Sequence, residues 1–85
     1  MLKMFPAMAR PLIEQIQTAQ SAEDLHALAE AAHSLKGAAR SACAMTLGDI
    51  AGTIQDEAEA GKSGGESVDT LLEEFKRVED EIEAL

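Results

Sequence analysis

Residues 22–41 read AEDLHALAEAAHSLKGAARS. Leu25, Leu28, Ala32, Leu35, Ala39 and, just beyond, Ala42 recur at steps of three and four, which puts them on one stripe of a helix. Alanine, the best helix former, fills seven of the twenty positions. Glycine nevertheless stands at 37, where a mid-helix glycine costs about 1 kcal/mol against alanine. His33 follows the stripe residue Ala32 and therefore points about 100° away from the stripe. Lys36 and Gly37 are its neighbours one turn on, and Arg40 lies two turns on. Ser21 followed by Asp24 resembles a capping box and starts the helix.

Three further segments have the same period. Over 4–19, Phe5, Met8, Leu12, Ile16 and Ala19 form a stripe. Pro11 falls within it, lacks an N–H and crowds the carbonyl of Ala7, so this N-terminal helix is expected to be kinked or interrupted. Pro6 suits a first helical turn. Over 46–60, opened by Thr46 with Asp49 three on, the stripe is Leu47, Ile50, Ala51, Ile54 and Ala58, and Gly61 suits the C-terminal cap. Gly48 and Gly52, four apart, are expected to let a neighbouring helix approach closely. Over 67–84, with Ser67 as N-cap, Val68, Leu71, Leu72, Phe75, Val78, Ile82 and Leu85 make the clearest stripe, opposite a charged face. No strand pattern competes. Four amphipathic helices with short connections predict an all-α, antiparallel four-helix bundle with an interrupted N-terminal helix, forming one domain over 1–85.

Composition narrows the function. The chain has 85 residues and is 2% aromatic, with Phe5 and Phe75 and no Trp or Tyr. Its net charge of −9 argues against nucleic acid, whose phosphates demand a basic face. All of the excess lies after residue 40, where three basic residues stand against twelve acidic ones, while residues 1–40 balance four against four. The segment holding His33 is thus near neutral and suits contact with an anionic group. No apolar run approaches the roughly 20 residues of a membrane span, and no signal peptide is read, so the cytoplasm is expected. The one cysteine, Cys43, permits no intrachain disulfide and is expected to be a small buried apolar residue. His26 lies about 10 Å along the helix from His33. That is too far to share a metal ion, and His26 reads as an ordinary surface histidine. DEAEAGKS (56–63) ends like a phosphate-binding loop, but Asp56 stands where the first glycine belongs and no strand precedes it. No metal site, cofactor site or hydrolytic triad is read.

An imidazole is partly neutral at pH 7 and can act as a nucleophile. Phosphoryl transfer needs little beyond positioning and charge stabilisation. HSLKGAA (33–39) resembles the signature around the phosphorylated histidine of histidine-containing phosphotransfer (HPt) domains, roughly H-x-L-K-G-[SA]-[SA]. His33, Leu35, Lys36, Gly37, Ala38 and Ala39 match it. The resemblance implies a four-helix bundle with His33 exposed on a central helix. It further implies that His33 accepts a phosphoryl group from a receiver-domain aspartate and passes it to another receiver. Lys36 would stabilise the phosphate, and Gly37 would leave room for the receiver. Arg40, Ala29 and Ser41 are expected on the partner-binding surface. The partners implied are response-regulator receiver domains and an upstream hybrid histidine kinase. The receiver supplies metal and aspartate and no ATP-binding part is read, so this carrier is expected not to be an enzyme by itself, and a monomer is expected. The rival expectation is a non-catalytic helical interaction or adaptor module, with His33 incidental and the 68–85 stripe serving as a dimer seam.

Overall fold

The computed structural model describes the backbone of residues 5–42, 44–62 and 65–83 and the side chains of 8–42, 44–62 and 65–81. Cys43, Leu85 and the side chains of Phe5 and Ile82, for which the sequence raised expectations, lie outside it. Four helices follow in order: α1 (Phe5–Ser21), α2 (Leu25–Ser41), α3 (Met45–Glu59) and α4 (Gly65–Glu83).

Pro11 stands inside α1, and the helix runs through it without a break. The interruption is confined to the backbone ladder, where proline offers no N–H to the carbonyl one turn back. Pro11 is exposed, so water reaches the freed carbonyl's side of the helix. Pro6 lies in the first turn. The buried stripe of α1 is Ala9, Ile13, Ile16 and Ala19. It is therefore rotated from the expected one: Met8 is 62% exposed and Leu12 only half-buried. Both stripes contain Ile16 and Ala19, so periodicity alone does not separate them. Burial favours Ile13 and the small Ala9 over the long Met8, because a slim stripe lets α1 lie close to its neighbours.

The other stripes fall where expected. Leu28, Ala32, Leu35 and Ala39 of α2, with Ala31, are buried, as are Leu47, Ala51, Ile54 and Ala58 of α3 and Val68, Leu71 and Phe75 of α4. Leu25, Ala42, Ile50, Leu72 and Val78 flank this core half-buried. Each fully buried Leu or Ile contributes roughly 1.5–3 kcal/mol relative to exposure. No buried side chain among the described residues is charged.

Each helix packs against its sequence neighbours, and α1 also meets α4, so the four form a closed ring. The Arg10 guanidinium pairs with Glu79 across the α1–α4 seam, and Ser67 Oγ donates a hydrogen bond to Glu57 between α3 and α4. α2 and α3 share the most extensive interface. The helix signals differ in part from expectation. Asp24 itself caps α2, its Oδ1 accepting from Ala27 N at 3.1 Å. Ser67 lies inside α4, and α3 starts at Met45 after Ala44, with no side-chain cap. On α4, Arg77 Nε donates to Glu74 at 3.1 Å, and Arg77 also pairs with Glu81. The hydrogen bond to Glu74, then the charges of Glu74 and Glu81, raise the Arg77 pKa above its ordinary value. Such exposed pairs contribute little stability.

Gly61 ends α3 as expected, with φ +87°. Its N–H reaches Ala58 O at 3.0 Å, and Lys62 N–H reaches Glu57 O at 2.8 Å, which is a Schellman motif. The turn after α1 repeats this geometry with Glu23 at φ +55°; Glu23 N–H reaches Gln20 O at 3.1 Å and Asp24 N–H reaches Ala19 O at 2.9 Å. A left-handed conformation costs a residue with a Cβ roughly 1–2 kcal/mol, and glycine escapes that cost. Replacing Glu23→Gly is expected to stabilise the chain by about 0.5–1 kcal/mol, after the entropy glycine adds to the unfolded state. Urea denaturation measures this; an unchanged or lower midpoint would show that the Glu23 side chain contributes more than its backbone costs.

Candidate functional site

His33 sits midway along α2 with its side chain exposed, while Ala31, Ala32 and Leu35 around it are buried. The helical period alone produces this placement. One turn on, Gly37 is exposed, and a Cβ built there meets no atom within 4 Å. No described residue packs against this glycine from outside α2, so the space beside the imidazole is open among the described residues. Lys36 is half-buried, and Arg40 and Ser41 are exposed toward the end of the helix. Ala29, expected at the surface, is half-buried and packs against the core edge.

The α2–α3 interface arranges these side chains. A Cβ at Gly48 would lie 3.3 Å from Arg40 Cγ and 3.6 Å from both Ala39 Cβ and Lys36 O, so this buried glycine does let α2 come close. A Cβ at Gly52 would meet only Lys36 Cδ, at 3.3 Å. Position 52 thus faces a side chain of α2 and not its backbone. The antiparallel register that sets Arg40 on Gly48 and Lys36 on Gly52 sets His33 opposite Gln55.

Gln55 is the residue that sequence reading missed. With His33, Ala29 and Glu30 of α2 and Ala58 and Glu59 of α3 it lines one groove. Its Oε1 is buried without a hydrogen-bond partner among the described residues. A carboxamide with unused bonding capacity beside an imidazole can accept a ring N–H and orient the ring. The signal that finds it is the register between α2 and α3, which a one-helix pattern does not contain.

Charge around His33 is lopsided. Toward the start of α2 the groove carries Glu30 and Glu59. His26 belongs to that side; its exposed ring places Nε2 2.6 Å from Glu30 Oε1, an ordinary i, i+4 surface contact. Toward the end of α2 stand Lys36 and Arg40, and neither has a carboxylate partner among the described residues. An anion beside the imidazole is repelled on one side and attracted on the other, where Gly37 leaves room. Arg10 and Arg77, in contrast, are each paired with a glutamate.

No group of three His, Cys, Asp or Glu side chains that would hold a metal ion occurs among the described residues, and no helix there is long and apolar enough to cross a membrane. An accessible nucleophilic ring, two unpaired cations on one side of it and an open approach are what a group carrying phosphate on nitrogen requires. No curated relative and no solved structure matches the chain. The family model of the Hpt domain, the histidine phosphotransfer module of phosphorelays, matches residues 1–85, the whole sequence. Four helices in a closed ring, with the HSLKGAA motif on the second, agree with that match, and the chain belongs to the Hpt domain family.

Proposed function

We propose that this chain, as one helical domain over 1–85, is the phosphocarrier of a phosphorelay, with His33 as the residue that carries the phosphoryl group. A ring nitrogen of neutral His33 attacks the phosphorus of an aspartyl phosphate on a receiver domain. The N–P bond forms as the P–O bond to the carboxylate breaks. The electron pair leaves with the receiver's aspartate, and the proton stays on the other ring nitrogen. The reverse steps pass the group to a second receiver. Lys36 offsets the phosphoryl charge, with Arg40 in support, and Gly37 admits the incoming domain. Arg40, Ser41 and the half-buried edge at Ala29 belong to the docking face. The chain supplies nucleophile and charge only, so it is a carrier and not an enzyme by itself. It needs no metal or cofactor of its own. An upstream hybrid histidine kinase loads the relay. The chain works as a monomer in the cytoplasm.

The observation that supports this best is the open volume at Gly37, on the cationic side of an exposed His33. The test is direct: incubate the protein with a phosphorylated receiver domain, and separately with phosphoramidate, and follow intact mass. One phosphoryl group, labile in acid and stable in base, is expected from both donors. Absence of an adduct with phosphoramidate and across several receivers would overturn the carrier reading.

A further inference from the structure

The two glycines of α3 differ in what they face. Gly48 is buried against Arg40 Cγ, Ala39 Cβ and the Lys36 carbonyl of α2, and because backbone is among these contacts, close helix packing explains it. Gly52 is only half-buried, and within 4 Å its Cβ would find a single atom, Lys36 Cδ. No backbone of α2 needs the space at 52. Alanine there would leave the helix approach intact and favour the helix itself. What it would disturb is the aliphatic stem of Lys36, which crosses α3 at this point and would have to shift by a few tenths of an ångström. The stem is flexible, so the lysine yields and the helices do not. Lys36 also has no ion-pair partner among the described residues that would hold its ammonium group in place.

We propose that Gly52 is a positioning residue for Lys36: its missing side chain forms a seat in α3 that keeps the lysine stem against the bundle and its ammonium on the His33 side. The proposal rests on the carrier reading. A long flexible side chain on an open surface spreads its charge over many rotamers. A stem laid in a seat offers the charge in one place, and charge stabilisation of a transferring group depends on such preorganisation.

The test uses the whole chain and phosphoramidate, a donor too small for receiver docking to matter. Its P–N bond breaks, ammonia leaves, and the phosphoryl group passes to His33. Parent, Gly52→Ala, Gly52→Leu, Lys36→Ala and the Gly52→Leu/Lys36→Ala double variant are compared by rate of mass gain, with helicity as the check on folding. Alanine and leucine are both good helix formers, so folding is retained. Gly52→Ala is expected to slow uptake about twofold to threefold and Gly52→Leu about tenfold, the larger effect corresponding to ~1.4 kcal/mol of barrier. In the Lys36→Ala background, Gly52→Leu is expected to add nothing, because the residue it acts through is gone. The side-chain carbon resonances of Lys36 are expected to move in Gly52→Ala, and the disappearance of the Gly52→Leu rate effect in the Lys36→Ala background is the result that a purely packing role for residue 52 would not produce. Parent-like rates in both Gly52 variants would overturn the inference, and so would a full tenfold loss added on top of Lys36→Ala. Either result leaves the carrier reading standing if the parent is phosphorylated, whereas a parent that takes up no phosphoryl group from phosphoramidate or from any receiver removes both.

Discussion

His33→Gln is expected to take up no phosphoryl group from either donor while keeping the parent's helicity and unfolding midpoint. The loss is complete because glutamine has no nucleophilic ring nitrogen, and charge and access cannot substitute for the attacking atom. The fold is spared because His33 is exposed and absent from the core, and glutamine is at least as good a helix former as histidine. The stability change should stay within about 0.5 kcal/mol, as for other surface substitutions. His26 is the internal control, since it is the only other histidine and lies among carboxylates at the far side of the groove. An adduct on the variant, mapped to His26, would show that a surface imidazole suffices and that the surroundings of His33 are incidental. Loss of helicity would instead contradict the exposed placement.

Gly37→Glu is expected to separate stability from transfer. The space at 37 is empty within 4 Å, so a side chain fits without strain, and replacing a mid-helix glycine gains roughly 0.5–1 kcal/mol. For a chain of this size that is about 4–8 °C in Tm per kcal/mol. Transfer from a phosphorylated receiver should nevertheless fall by about a hundredfold, equivalent to ~2.7 kcal/mol. Bulk at 37 obstructs the approaching domain, and the added carboxylate stands where the cations are needed. Gly37→Ala supplies the steric part alone and should fall between parent and Gly37→Glu. A higher Tm with unchanged transfer would remove the functional account of this glycine. The expected pattern, more stable and less active, is common where a protein gives up local stability for a working site.

The α2 stripe, the exposure of His33 and the left-handed cap at Gly61 were legible because each depends only on residues within one or two helical turns. The α1 stripe was misplaced for a physical reason: two candidate faces share Ile16 and Ala19, and only packing against α2 and α4 decides between Ile13 and Met8. Pro11 does not break α1, because a proline inside a helix removes one ladder bond and the flanking turns carry the helix on. Asp24 takes the cap position expected of Ser21, because α1 runs on to Ser21 and the Glu23 turn follows. Gln55 and the function of Gly52 were out of reach of any single-helix pattern. Both follow from the register of α2 against α3, which depends on side-chain volumes across the interface, summed over both helices.

The ring order of the bundle also bears on how fast the chain reaches its native state. Three of its four interfaces join helices consecutive in sequence, and only the α1–α4 seam, the least extensive of the four, joins distant parts of the chain. Loop closure therefore removes little entropy before each contact forms, and topologies of this kind fold in microseconds to milliseconds. The α2–α3 hairpin, which holds every group assigned to the phosphoryl site, is the natural nucleus, and the α1–α4 seam closes last. Temperature-jump relaxation should show a main phase on that scale, slowed by Leu35→Ala in the hairpin more than by a comparable truncation at Ile13; the reverse order would place the nucleus elsewhere. A seam that opens first would leave the hairpin, and with it the carrier histidine, standing while the outer helices part.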